Sequence, residues 1–172
     1  MSKDRQDKKA QFAQSQKKRR PLVVIGLAVA AAVVAFFAIT GLPGKAGVVT
    51  VKPENGVVRI ALADVADGNA HFFEYEGQKG LIRFFILKSS DGVFRAAFDS
   101  CDVCYREGKG YRQEGDMVVC NNCEQRFPSA RINEVKGGCN PAPLQRSMDG
   151  QSLVITTADL EAGAWFFAGQ NG

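Results

Sequence analysis

Five cysteines are the residues with which this chain could do chemistry, and four of them are spaced for it. Cys101 with Cys104 and Cys120 with Cys123 make two C-x-x-C pairs, with fifteen residues between the pairs. Two residues between cysteines let the backbone fold into a knuckle that points both thiolates at one ion. Two such knuckles brought together offer four sulfurs in a roughly tetrahedral array. That donor set suits a 2Fe–2S or 4Fe–4S cluster, a single iron, or zinc, and spacing alone does not separate them. Disulfides are the competing use of the same residues. They would leave one of five cysteines over, and the chain is long enough to build a core without such staples. A redox-active dithiol would not explain two copies of the motif. Cys139, in Gly137-Gly138-Cys139-Asn140-Pro141, is a further cofactor-binding candidate: a tight loop could bring it in as an extra or replacement ligand, or leave it as a free thiol. The single histidine, His71, has no spacing relation to the cysteines and reads as a strand residue. Met117 and Met148 are too few to argue for copper.

The elements that must position these sulfurs read as β-strands. Val48–Val51, Val57–Leu62, Ala70–Tyr75, Leu81–Leu87, Val93–Phe98, Met117–Cys120 and Leu153–Thr156 are rich in β-branched and aromatic residues. Asp67-Gly68, Glu76-Gly77, Asp91-Gly92, Glu114-Gly115 and Asp149-Gly150 fall between them as hairpin signals. Their spacing predicts a small antiparallel sandwich or barrel. A hairpin around Met117–Val119, with Gly108, Gly110 and Gly115, would bring the two knuckles together. Asn121-Asn122 would supply the left-handed backbone the second knuckle needs. Helical periodicity competes only at Asp159–Phe167. Phe72-Phe73, Phe84-Phe85 and Phe166-Phe167 read as core and sheet-face residues.

Ahead of this body lies a segment of different character. Leu22–Leu42 carries no charge, and as a helix it would span about 31 Å, matching a hydrocarbon core of about 30 Å. Pro21 opens it and Pro43-Gly44 closes it. The expected organisation is therefore a basic cytoplasmic tail over residues 1–20, a transmembrane anchor over 21–43 and an extracytoplasmic metal-binding β domain over 44–172. Residues 1–20 hold a net charge of +6 within a chain of net +4, so the remainder is slightly acidic. Lys17-Lys18-Arg19-Arg20 flank the anchor on one side and only Lys45 on the other, which places the tail in the cytoplasm and the domain outside. A cleaved signal peptide would have a shorter apolar run and a clear small-residue cleavage site, so a retained anchor is the better reading. The slightly acidic body has no electrostatic footprint for nucleic acid.

The order of features from Arg59 to Gly163 resembles a Rieske-type domain: RIALADVADG, LIRFFILKSSDGVFRAAFDS, CDVC, CNNCEQRF, NPAPL and a DGQSLVIT strand. Cys104 and Cys123 stand where that family has histidines, which excludes two-histidine ligation and the raised potential it brings. The stretch FDSCDVCYREGKGYRQEGDMVVCNNCEQRFPSARINEVKGGCNPAPL is similar, almost throughout, to the membrane iron–sulfur-containing, FtrD-like family. That resemblance implies a bacterial inner-membrane setting, an iron–sulfur centre and electron transfer linked to high-affinity iron transport, with a membrane permease or redox protein as partner. Many relatives carry several transmembrane helices, whereas this chain has one.

The sequence therefore predicts a mostly β protein. It has one N-terminal transmembrane helix and a Rieske-like domain whose two ligand loops carry cysteines only. Cys101, Cys104, Cys120 and Cys123 are the expected metal ligands, and Tyr105, Tyr111, Arg126 and Phe127 are candidates for shielding the centre or docking a partner. A structural zinc domain and a metal-delivery protein using Cys139 are the alternatives. No nucleophile elbow, phosphate loop or histidine–carboxylate pair argues for an enzyme.

Overall fold

The computed structural model describes residues 47–170. The basic tail and the anchor expected over 21–43 lie outside the described residues. Among those described, no helix is long and apolar enough to cross a membrane.

Among the described residues, ten strands form three sheets. β1 (Val48–Val51), β3 (His71–Gly77), β4 (Gly80–Lys88) and β5 (Phe94–Phe98) make a four-stranded sheet in the order β1-β3-β4-β5. β2 (Val57–Ala61), β9 (Ser147–Asp149) and β10 (Ser152–Thr156) make a second, in the order β2-β10-β9. β6 (Tyr111–Glu114), β7 (Met117–Cys120) and β8 (Arg126–Pro128) make the third.

The alternation along β4 shows how the sheets are layered. Successive strand side chains point to opposite faces, and here both faces are buried. Ile82, Phe84 and Ile86 pack with Val58, Ile60, Leu153 and Ile155 of the second sheet, and with Leu160, Phe166 and Phe167 near the C-terminus. Phe85 and Leu87 point the other way, to Tyr111, Val118, Cys120, Ile132 and Cys101. The four-stranded sheet is thus the middle layer, with one core on each face. The near-continuous apolar run LIRFFIL is what a strand buried on both sides requires.

Several sequence expectations change in detail. β1 pairs with β3 in parallel, Val48 opposite Phe72, so the sheets are antiparallel except at that edge. Asp67-Gly68 makes no hairpin, because β2 and β3 belong to different sheets. The turn between β3 and β4 is Gln78-Lys79, since Gly77 still pairs with Gly80. Asp91-Gly92 does lie in the β4–β5 link, while Glu114 and Asp149 are the last residues of β6 and β9 and Gly115 and Gly150 open the turns that follow. β6, β8 and β9 are too short and polar to carry a strand pattern. The helical signal at Asp159–Phe167 resolves into a short helix α1 (Thr157–Ala162) and a 3-10 turn over Ala164–Phe167. The Thr156 hydroxyl caps α1 by accepting from the Asp159 N–H at 3.0 Å.

Candidate metal centre

The third sheet exists to hold two loops. The chain leaves β5 at Phe98 and passes directly through Cys101 and Cys104. It returns as the β6–β7 hairpin, which ends in Cys120, and turns through Cys123 into β8. Tyr111 pairs with Cys120 across that hairpin, so the register of two strands places the second knuckle beside the exit of the first.

Backbone bonds shape each knuckle. The Cys104 N–H donates to the Cys101 Sγ at 3.2 Å, and the Glu124 N–H to the Cys120 carbonyl at 3.0 Å. The left-handed residue is Glu124, with φ of +61°, and not Asn121 or Asn122. The two asparagines are used for their amides instead. Asn121 Nδ2 donates to the Lys109 carbonyl at 2.9 Å, and its backbone N–H to the Gly110 carbonyl at 3.0 Å, tying the knuckles together. Asn122 Nδ2 donates to the Cys104 Sγ at 3.4 Å, while its Oδ1 accepts from Lys109 Nζ at 3.0 Å.

Gly110 must be glycine. Its φ is +63°, and a Cβ there would run into the Asp99 carboxylate. Asp99 Oδ1 accepts from the Tyr111 N–H at 2.6 Å. Burial pushes the Asp99 carboxyl up to about 7, against the pull of that N–H and of the Arg83 guanidinium. Arg83 also donates to the Gly108 carbonyl at 2.9 Å and to Gln170 Oε1 at 3.0 Å, fixing the first loop to the C-terminal segment.

All five cysteines are free thiols and their sulfurs converge. Cys101, Cys104 and Cys139 form one group and Cys104, Cys120 and Cys123 another, with the sulfurs of each group within 4.8 Å of one another. Cys104 belongs to both. The Cys104 and Cys139 sulfurs are 3.8 Å apart. Cys139 reaches the cluster because the buried Tyr111 hydroxyl donates to its carbonyl at 2.7 Å. Cys101 and Cys120 are buried, Cys104 and Cys139 half-buried, and Cys123 exposed. Burial pushes the Cys120 thiol up to about 11, and burial with the neighbouring Cys123 and Cys104 sulfurs raises Cys139. Cys123 is also pushed up by its surroundings, but the Gln125 N–H and the other thiols outweigh this and leave it lowered.

The donor set fits a thiolate-bound metal. It is sulfur-rich, partly desolvated and served by N–H donors. A small cavity between the loops is lined by Cys101, Cys104, Cys120, Tyr111 and Asn122. His71 takes no part, its Nε2 lying 2.7 Å from Asp67 Oδ1. Of the residues expected to shield the centre, Tyr111 and Phe127 pack in the core that holds the cysteines. Tyr105 stacks edge-on against the half-exposed Trp165, at 5.4 Å between ring centres. Arg126 instead pairs with Glu114 at 2.7 Å on the surface. Nothing in the spacing of Trp165 marks it in the sequence.

Fold and site together define a β protein that presents a cluster of thiols to a metal. The family model described as membrane iron-sulfur containing protein FtrD-like matches residues 65–167, and the chain belongs to that family. That family is described as membrane iron–sulfur containing, and the cysteine groups of this chain could hold a metal. No curated protein matches the chain. A solved structure of the quaternary ammonium Rieske monooxygenase CntA with an inhibitor is similar at 14% identity and a TM-score of 0.38. That match covers 56% of this chain and only 29% of the monooxygenase chain, and at this level it bears on neither mechanism nor substrate.

Proposed function

We propose that this protein is a membrane-anchored electron carrier that holds an iron–sulfur centre on Cys101, Cys104, Cys120 and Cys123, with Cys139 as a fifth thiol at the same site. The carrying observation is that Cys104 lies in both three-sulfur groups, so a single centre can draw on both knuckles. The anchor over residues 21–43 would place the tail in the cytoplasm and the domain on the periplasmic side of a bacterial inner membrane. Its partner there would be a permease or redox protein of high-affinity iron or metal transport.

An iron–sulfur group, when bound, supplies a one-electron couple. The chain's own residues do the rest. Tyr111 and Phe127 exclude water from the buried side, while the exposed Cys123 and Val103 bring the sulfur cluster to the surface. That asymmetry suits exchange with a docked partner, which supports a carrier over a catalyst. N–H donors at Cys101 and Cys104 stabilise thiolate charge.

The full chain, purified anaerobically in detergent, tests this. Iron with acid-labile sulfide, a visible spectrum that bleaches on reduction and a reversible one-electron titration are expected. A colourless protein holding one zinc would overturn it.

A further inference from the structure

We propose that Cys104 and Cys139 form a thiol–disulfide switch that dismantles the metal centre when oxidised. This rests on the reading of the cluster as a metal site and adds a way of opening it. Three observations carry it. The two sulfurs are 3.8 Å apart, so they need to approach by only about 2 Å to bond. Cys104 is the one sulfur shared by both three-thiol groups, so taking it out leaves neither group intact. Cys139 also sits in a loop with open space beside it. Gly137 and Gly138 are both left-handed, with φ of +83° and +62°, and nothing packs within 4 Å of where a Cβ on Gly138 would lie. The loop is held by a few bonds: Asn140 Nδ2 donates to the Gly137 carbonyl at 2.9 Å, and Tyr111 to the Cys139 carbonyl. A fifth thiol beside a centre that needs four has no ligand role to lose in this exchange.

The oxidant is a small-molecule disulfide. With the four knuckle sulfurs held by the metal, Cys139 is the thiol left unligated; in its deprotonated fraction it attacks one of the oxidant's sulfurs, that disulfide bond breaks and its other half leaves as a thiolate. The Cys104 sulfur then attacks the Cys139 Sγ, forming the Cys104–Cys139 bond and expelling the second half as a thiolate. Two protein thiols lose two electrons, the oxidant gains them, and the two protons pass to the departing thiolates. A dithiol reductant reverses both steps.

The test begins with the full chain in detergent, stripped of metal under reducing conditions and then exposed to oxidised glutathione. Peptide mass mapping should find Cys104 linked to Cys139 as the main product. Bonds within the C-x-x-C pairs in its place would overturn the switch. In Cys104→Ser, which lacks the resolving thiol, Cys139 should keep a glutathione adduct; its absence would overturn the order of attack and with it the proposal. In metal-loaded protein, glutathione oxidation should release metal from the wild type, and dithiothreitol with added metal should restore it. Cys139→Ser should hold its metal through the same treatment, and equal loss from both would overturn the switch. If the metal proved to be zinc, electron transfer would fail while the mapped crosslink would stand, so the two readings are separable. Should Cys139→Ser not load metal, the crosslink map on metal-free wild type still decides.

Discussion

Asn122 directs an amide N–H at the Cys104 sulfur while its oxygen is held by Lys109. The contact carries part of a lysine's charge toward a ligand that would otherwise share electron density with its metal. Hydrogen bonds to ligating sulfur favour the more negative, reduced state. Asn122→Leu is therefore expected to lower the midpoint potential. One exposed charge-assisted bond contributes about 1 kcal/mol, or roughly 40 mV for a one-electron couple. Protein-film voltammetry would read it, and an unchanged potential would show that the amide only shapes the loop. Tyr111 acts differently, because its hydroxyl reaches the Cys139 carbonyl and not a solvent-facing group. Tyr111→Phe leaves the ring packing and removes that bond, freeing the Cys139 loop. Metal affinity is expected to fall by about tenfold, the lower end of what lost supporting contacts cost. Competition against a metal-binding dye would measure it, and full affinity in the variant would show that anchoring this loop does not support the centre.

At the scale of elements, the β4–β5 turn shows how the middle sheet grips the loop that leads to Cys139. Arg95 on β5 is buried, and it donates to the Ile132 carbonyl at 2.9 Å and to Glu134 at 2.8 Å. Its other end pairs with Asp91 at 2.6 Å. The Ser89 hydroxyl and the Arg95 guanidinium hold the Asp91 carboxyl down at about 2. A carboxyl lowered on folding stabilises the fold above its ordinary value near 4, and that help is lost as pH falls to about 2. Asp91→Asn should therefore be less stable than wild type at neutral pH, with the difference closing between pH 4 and pH 2 in denaturant titrations. A pH-independent difference would mean the charge plays no part. This turn was legible in the sequence as Asp91-Gly92, and so were the long strands, because their β-branched and aromatic runs are bounded by turn residues. The metal loops were legible for the same reason: C-x-x-C spacing is a local constraint. β6 and β8 were not, since YRQE and RFP take strand form only by pairing with MVVC between them. Nor was the parallel pairing of β1, a long-range choice that leaves no mark in its four residues. The left-handed position at Glu124 was hidden by its residue type, while the glycines beside the first knuckle advertised theirs.

Over the domain as a whole, the two cores rest on different physics. On one face of the middle sheet, Phe84, Ile86, Leu153, Ile155 and Phe166 bury a fully apolar cluster that needs no cofactor. On the other, Phe85 and Leu87 share their core with Cys101, Cys120 and, at its margin, Cys104 and Cys139. Sulfurs gathered within 4.8 Å of one another repel once they ionise, and a bound metal turns that repulsion into cohesion. A ligand held only by the folded form stabilises whatever part of the fold holds it. Metal removal is thus expected to loosen one half of the domain and spare the other. Hydrogen exchange on metal-loaded and metal-free protein should show protection lost at Val118, Val119 and Cys120 of β7 and along β6. The amides of β4 and β10 should keep most of theirs, because Phe84, Leu153 and Ile155 stay packed. Uniform loss across all three sheets would mean that the two cores fold as one unit and that the centre supports the whole domain.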